Sequence, residues 1–111
     1  SLTDDDITAH PEFKLARHAW MELDEEERAN ATMYTSTEPC AMCAGAIYYA
    51  GLGRVVFSAS GGEFAEETGF LSVDISCEEI FERSDEPSPT ADGPVLEEEG
   101  MDIHREFDYS W

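Results

Sequence analysis

Apolar positions repeat with two different periods along this chain. From Pro11 onward, Phe13, Ala16, Ala19, Trp20 and Leu23 recur at the spacing of one helix face. Pro11 suits a helix's first turn, where its missing N–H costs nothing. The pattern therefore predicts a helix from residue 11 to about residue 23, and the acidic run DEEERAN after it reads as a connection. ATMYTS is short and rich in β-branched and aromatic residues, which predicts a strand, and RVVFSAS predicts a second. Between them, PCAMCAGAIYYAG predicts a helix with Pro39 at its mouth and Gly51 as its stop. Helix, strand, helix, strand in short units implies an α/β layer with parallel neighbours.

Beyond Gly61 the periodicity weakens. EFAEETGFLSVDIS reads as a helical turn followed by extended chain, and CEEIFER as a short helix. SDEPSPTADGP, with three of the five prolines, reads as a loop. VLEEEGMDIHREFDYSW reads as a terminal helix whose apolar stripe includes Leu96, Met101, Ile103 and Phe107. No internal repeat is visible. The 111 residues fit one domain, 1–111, and 41% apolar content is enough for a globular core. No window approaches the ~18 uninterrupted apolar residues of a membrane span, and no charged-then-apolar leader is present. A soluble, cytoplasmic protein with no membrane partner is expected.

Charge changes that picture. There are 26 acidic side chains against 6 basic ones, for a net charge of −20, and Lys14 is the single lysine. A phosphate-binding surface clusters Lys and Arg. No such cluster exists here, which argues against a nucleic-acid partner. The carboxylates are spread over nearly every segment rather than gathered in one tail, which points to adaptation to high salt, a halophilic protein.

Three cysteines do not make a disulfide framework. Cys77 stands alone and reads as a buried small residue. Cys40 and Cys43 sit at i and i+3, so their sulfurs share one helix face near its N-terminus, where thiolate is favoured. Two thiolates supply half of a tetrahedral zinc site. The redox alternative wants an aromatic residue before the first cysteine, and this chain has Pro39 there. His10 precedes the other predicted helix, with Glu12 two residues on. If the two helices lie side by side with their N-termini together, His10 joins the cysteines. Three protein ligands then hold one zinc and leave a position open to water, and Glu12 is placed to take that water's proton. A non-catalytic zinc module needs no Glu12, so the glutamate separates the two readings. His18 and His104 are expected to be structural or exposed.

TAHPE and YTSTEPCAMCAGAIYYAGLGRVVFSAS, with weaker support from GPVLEEEGMDIHREF, resemble the zinc-dependent cytidine and deoxycytidylate deaminase superfamily. Within it the resemblance is to the nucleoside deaminase branch, which includes guanine deaminases and tRNA adenosine deaminases. It implies a three-layer α/β/α fold with a central mixed sheet. It implies zinc on His10, Cys40 and Cys43, proton shuttling by Glu12, and a pocket lined by the backbone at Ala9 and Pro39. The implied activity is hydrolytic deamination of an amino-substituted nucleobase or nucleoside, with a purine such as guanine first and tRNA adenosine as the alternative. Asp74 is the candidate acidic reader of the base. Two departures stand out. Proline occupies position 11, where the family has alanine. The family also places a helix and two strands before the histidine, so an N-terminally shortened domain is expected. A homodimer is expected as well, with Phe107, Tyr109 and Trp111 helping to close a pocket.

Overall fold

Two strand–helix–strand crossovers set the architecture. The computed structural model describes residues 10–61 and 73–96. In chain order the elements are α1 (Pro11–Glu22), α2 (Glu25–Ala29), β1 (Thr32–Thr37), α3 (Ala41–Ala50), β2 (Arg54–Ala59), α4 (Cys77–Glu82) and β3 (Thr90–Asp92). The strands lie in the order β1-β2-β3, all parallel, with Met33 opposite Val55 and Val55 opposite Ala91. The helix and strand expectations around residues 11–23, 32–37, 41–51 and 54–59 agree with these elements. A purely parallel sheet replaces the expected mixed one among the described residues. Each strand is reached from the previous one by a crossover, and such a connection joins parallel neighbours, never a hairpin pair.

One face of the sheet carries the core. Met33, Val55 and Phe57 are buried on it, and they join Ala16, Ala19, Ala44, Ile47, Ala50, Leu52, Cys77 and Phe81 in one cluster. α3 packs against both α1 and α4, so the three helices share this face. α3 is apolar around most of its circumference, as its central place requires. A second helical layer is not seen among the described residues, and Tyr34, which points away from the core, is 72% exposed. The three-layer expectation is thus met in one layer and the sheet.

Two glycines fix the turn from α3 into β2. Gly51 ends α3 in the left-handed region, at φ 81°, with its N–H directed to the helix's last carbonyls. At Gly53 the chain runs against the end of α2, where a Cβ would stand 2.0 Å from the Ala29 carbonyl oxygen. Its backbone instead bonds Arg28 O at 3.2 Å and accepts from Thr90 N at 3.1 Å.

Three expectations need correcting. DEEERAN is not a bare connection. Asp24 and Glu27 form a reciprocal capping box, each side chain accepting from the other's backbone N–H, which starts α2. Trp20 is no core residue, being 57% exposed, with the Arg28 guanidinium 4.5 Å above its ring. The proline-rich loop contains β3, held by its pairing with β2. The terminal helix expected over residues 95–111 falls almost wholly outside the described residues, as do most of EFAEETGFLSVDIS and the aromatics Phe107, Tyr109 and Trp111. Among the described residues no helix is long and apolar enough to cross a membrane.

Candidate active site

Two helix starts meet at one point. His10 is the N-cap of α1, with extended backbone at φ −79° and ψ 142°, and Pro11 fixes the first turn behind it. Cys40 is the N-cap of α3, at φ −68° and ψ 173°, and its side chain makes no capping bond. Both side chains therefore project from helix mouths. Because α1 and α3 pack together, His10 Nδ1 lies 3.6 Å from Cys40 Sγ and 3.6 Å from Cys43 Sγ. The three donor atoms all lie within 4.8 Å of one another.

The donor set can be tested against zinc. Bond lengths of ~2.3 Å to sulfur and ~2.05 Å to nitrogen at a tetrahedral angle place the two donors ~3.6 Å apart. The observed N···S separations match that figure. Two sulfurs and one imidazole nitrogen are also the donor types zinc prefers. Among the described residues this trio is the one group of such side chains close enough together to hold a metal ion.

The thiols are already divided in their proton affinity. Cys40 is drawn well below the ordinary thiol value, first by the Cys43 thiol that donates to it, then by the Cys43 backbone N–H and the nearby His10. Cys43 is pushed upward because it is the donor, because it is buried, and because Cys40 and Glu12 face it with negative charge. One proton is shared where a cation would replace it. Cys77 is fully buried, as expected, and stands outside the trio. Its thiol is pushed up to about 12 by burial and by the neighbouring Glu38 carboxylate.

Glu12 sits in the first turn of α1, outside the metal-binding trio. Its Oε1 accepts a 2.7 Å hydrogen bond from Thr35 Oγ1 on β1. Pro39 is buried between Glu38 and Cys40. Glu38 spans three segments. Its N–H bonds Ala59 O at 2.7 Å, while its carboxylate accepts from Gly61 N at 2.9 Å and Cys77 N at 2.8 Å. Sequence reasoning missed both Thr35 and Glu38. The strand ATMYTS and the motif E-P-C displayed them, but nothing local said what they would touch. Asp74 is exposed ahead of α4, His18 is exposed as expected, and Ala9 and His104 lie outside the described residues.

A family model described as MafB19-like deaminase matches residues 3–84. The chain belongs to the MafB19-like deaminase family. The match takes in His10, Glu12, Cys40 and Cys43, and the zinc used by deaminases of this kind agrees with the donor set above. Relatives of this MafB19-like chain include a Schizosaccharomyces pombe protein named "Probable cytosine deaminase", 31% identical over 96% of this chain and 66% of its own length. A Bacillus subtilis guanine deaminase is 43% identical over 61% of this chain and 43% of its own. A Haemophilus influenzae tRNA-specific adenosine deaminase is 40% identical over 54% and 35% respectively. The chain thus spans from 35% to 66% of the length of these curated relatives.

Proposed function

We propose that this chain performs zinc-dependent hydrolytic deamination of an amino-substituted nucleobase or nucleoside, with a purine such as guanine as the substrate. The observation that carries the reading is a carboxylate, Glu12, beside a His–Cys–Cys trio of zinc dimensions but outside it. A closed structural zinc site has no use for such a group. His10, Cys40 and Cys43 would hold the metal, which when bound supplies acidification of water toward a pKa of ~7. Glu12 takes a proton from the attacking water and returns it to the ring nitrogen. The water oxygen bonds to the amino-bearing carbon, the C–N bond breaks, and the amino group leaves as ammonia with the second proton. The backbone at Pro39 borders the base, and Asp74 is the candidate that reads it.

Guanine is favoured by the 43% identity to a guanine deaminase over 68 residues. The tRNA reading is supported by relatives so named, and a net charge of −20 weighs against it. Ammonia release from zinc-loaded protein decides among guanine, adenine, cytosine, their nucleosides and tRNA. Turnover of guanine is expected, and turnover of tRNA alone selects the second reading. No ammonia from any of them overturns the enzyme assignment. A homodimer belongs to the same proposal. An open apolar groove of about 340 Å³ between α1 and α3, lined by Phe13, Trp20, Ala46 and Tyr49, offers a surface for a second copy. Light scattering at two chains' mass is expected, and a monomer's mass rejects it.

A further inference from the structure

We propose that Thr35 is a positioning residue for Glu12, holding one carboxylate oxygen so that the other is presented to the reacting water. The inference rests on the deaminase reading above and extends it to a residue outside the metal-binding motif. Glu12 has three rotatable side-chain bonds and stands half-buried at the start of α1. Left to itself, it samples several rotamers, and few of them face the trio. Among the described residues the group bonded to its carboxylate is Thr35 Oγ1, 2.7 Å from Oε1. That is the length of a charge-assisted O–H···O bond, roughly twice as strong as a neutral one.

Thr35 is suited to the task because it is itself fixed. It sits within β1, paired opposite Phe57 of β2, on the sheet face that α1 covers. Its β-branched side chain has little χ1 freedom. Its Oγ1 also lies 3.4 Å from Thr37 N and 3.0 Å from Thr37 O. A hydroxyl has a single proton, and the carboxylate is the stronger and nearer acceptor. The bond spends Oε1 and leaves Oε2 for proton transfer. Glu12 stands in the first turn of α1, two residues beyond its N-cap His10, a member of the trio. The sheet, not the helix that carries Glu12, thereby sets where the carboxylate points.

The test compares Thr35→Val, which keeps the shape and removes the hydroxyl, with Thr35→Ser, which keeps the hydroxyl. Thr35→Ala serves as a second hydroxyl-free variant if valine disturbs the strand. In zinc-loaded protein, Thr35→Val is expected to lower kcat by about 10- to 100-fold. KM should stay within about twofold and zinc at its wild-type stoichiometry, and Thr35→Ser should return kcat to within about threefold of wild type. In a Glu12→Gln background, Thr35→Val should cause no further loss. Crystal structures of wild type and Thr35→Val give a readout independent of turnover, in which the Glu12 carboxylate moves while His10, Cys40 and Cys43 stay in place. The proposal is overturned if Glu12 keeps its position without the hydroxyl, if kcat is unchanged, or if serine is as poor as valine. A wild-type protein that turns over no base sinks the deaminase reading alone, and the position of Glu12 then decides the role of Thr35.

Discussion

Two cysteines begin helices in this chain and share Glu38 as a neighbour in sequence or space, yet their chemistry is opposite. Cys40 caps α3 and its thiol is drawn down, whereas Cys77 is the first residue of α4 and its thiol is pushed up to about 12. Position at a helix start does not separate them. What faces each sulfur does. Cys40 receives the Cys43 thiol and a backbone N–H and has His10 beside it. Cys77 is fully buried against the Glu38 carboxylate, which has already taken the Cys77 N–H. A helix dipole worth ~0.3–1 kcal/mol is overruled by desolvation and one adjacent charge.

The strongest way to break this contrast is to delete each sulfur in turn. Cys40→Ala removes one of three metal donors, so zinc should fall well below one per chain and deamination by more than ~10³-fold, since water loses its activator. Cys77→Ala should leave zinc at one per chain and cost ~1 kcal/mol of stability for a small buried void. Metal analysis and denaturant unfolding of the two variants read both. Loss of zinc in the Cys77 variant would end the division of roles. Glu12→Gln belongs on the Cys77 side of the metal test and on the Cys40 side of the activity test, with zinc retained and kcat down by at least ~10²-fold.

Much of the trio was legible because its logic is local. An i, i+3 cysteine pair after a proline, and a histidine just before a helix-starting proline, each reveal which way a side chain leaves its helix. The pairing of the two sites followed from the docking of neighbouring helices across one strand. Thr35 and Glu12 are different. They stand 23 positions apart, and their contact depends on the height at which α1 sits on the sheet, which no local pattern encodes. Glu38 was equally silent, because its partners Gly61 and Cys77 lie 23 and 39 positions on. β3 was lost for another reason. Thr90–Asp92 is three residues long and only Thr90 favours a strand, so it exists because β2 offers an edge to pair with. The α2 capping box, Asp24 with Glu27, was present within DEEERAN itself, and the density of carboxylates hid it.

Reactivity sharpens the contrast further. In zinc-free protein at pH 7, Cys77 holds only ~10⁻⁵ of its sulfur as thiolate at a value of about 12. Its greater intrinsic nucleophilicity, ~0.4–0.5 of a decade per unit of the pKa gap to Cys40 at about 5, recovers about three of those five decades, so Cys40 should alkylate at least ~30-fold faster. Zinc should abolish the difference by protecting Cys40. Peptide mapping after a short iodoacetamide pulse reads the ratio, and equal labelling would show that the two environments are alike.

Glu38 is the element the two regions have in common, and Glu38→Gln tests it. The amide has one acceptor oxygen where the carboxylate has two, so the N–H of Gly61 or of Cys77 is left facing a donor. The expected cost is ~1–3 kcal/mol. The substitution also removes the charge that raises Cys77. Cys77's folded value lies above the ordinary 9.0, so the neutral thiol supports the fold below pH 9, and that support is lost as pH climbs toward 12. In Glu38→Gln the loss should be complete at a lower pH. Urea midpoints between pH 8 and pH 11 follow it, and identical pH profiles for wild type and variant would remove Glu38 from the account.

Salt gives the smallest effect and tests whether the contrast is a surface property. The chain carries 26 carboxylates and 6 basic groups, so exposed like charges repel over the ~10 Å Debye length at 0.1 M and over only ~3 Å at 1 M. The thermal midpoint should therefore rise, on the order of 5 °C, between 0.1 and 2 M KCl. Cys77 should not respond in the same way. Its suppression comes from burial and from a carboxylate in direct hydrogen-bond contact with its backbone, and mobile ions do not enter that space. The ratio of Cys40 to Cys77 alkylation should thus hold within about twofold while the midpoint climbs. A midpoint that is flat or falls would reject salt adaptation and recast the acidic surface as a docking face. A ratio that collapses in 2 M KCl would mean that the summed field of the surface, rather than Glu38, keeps the Cys77 thiol protonated.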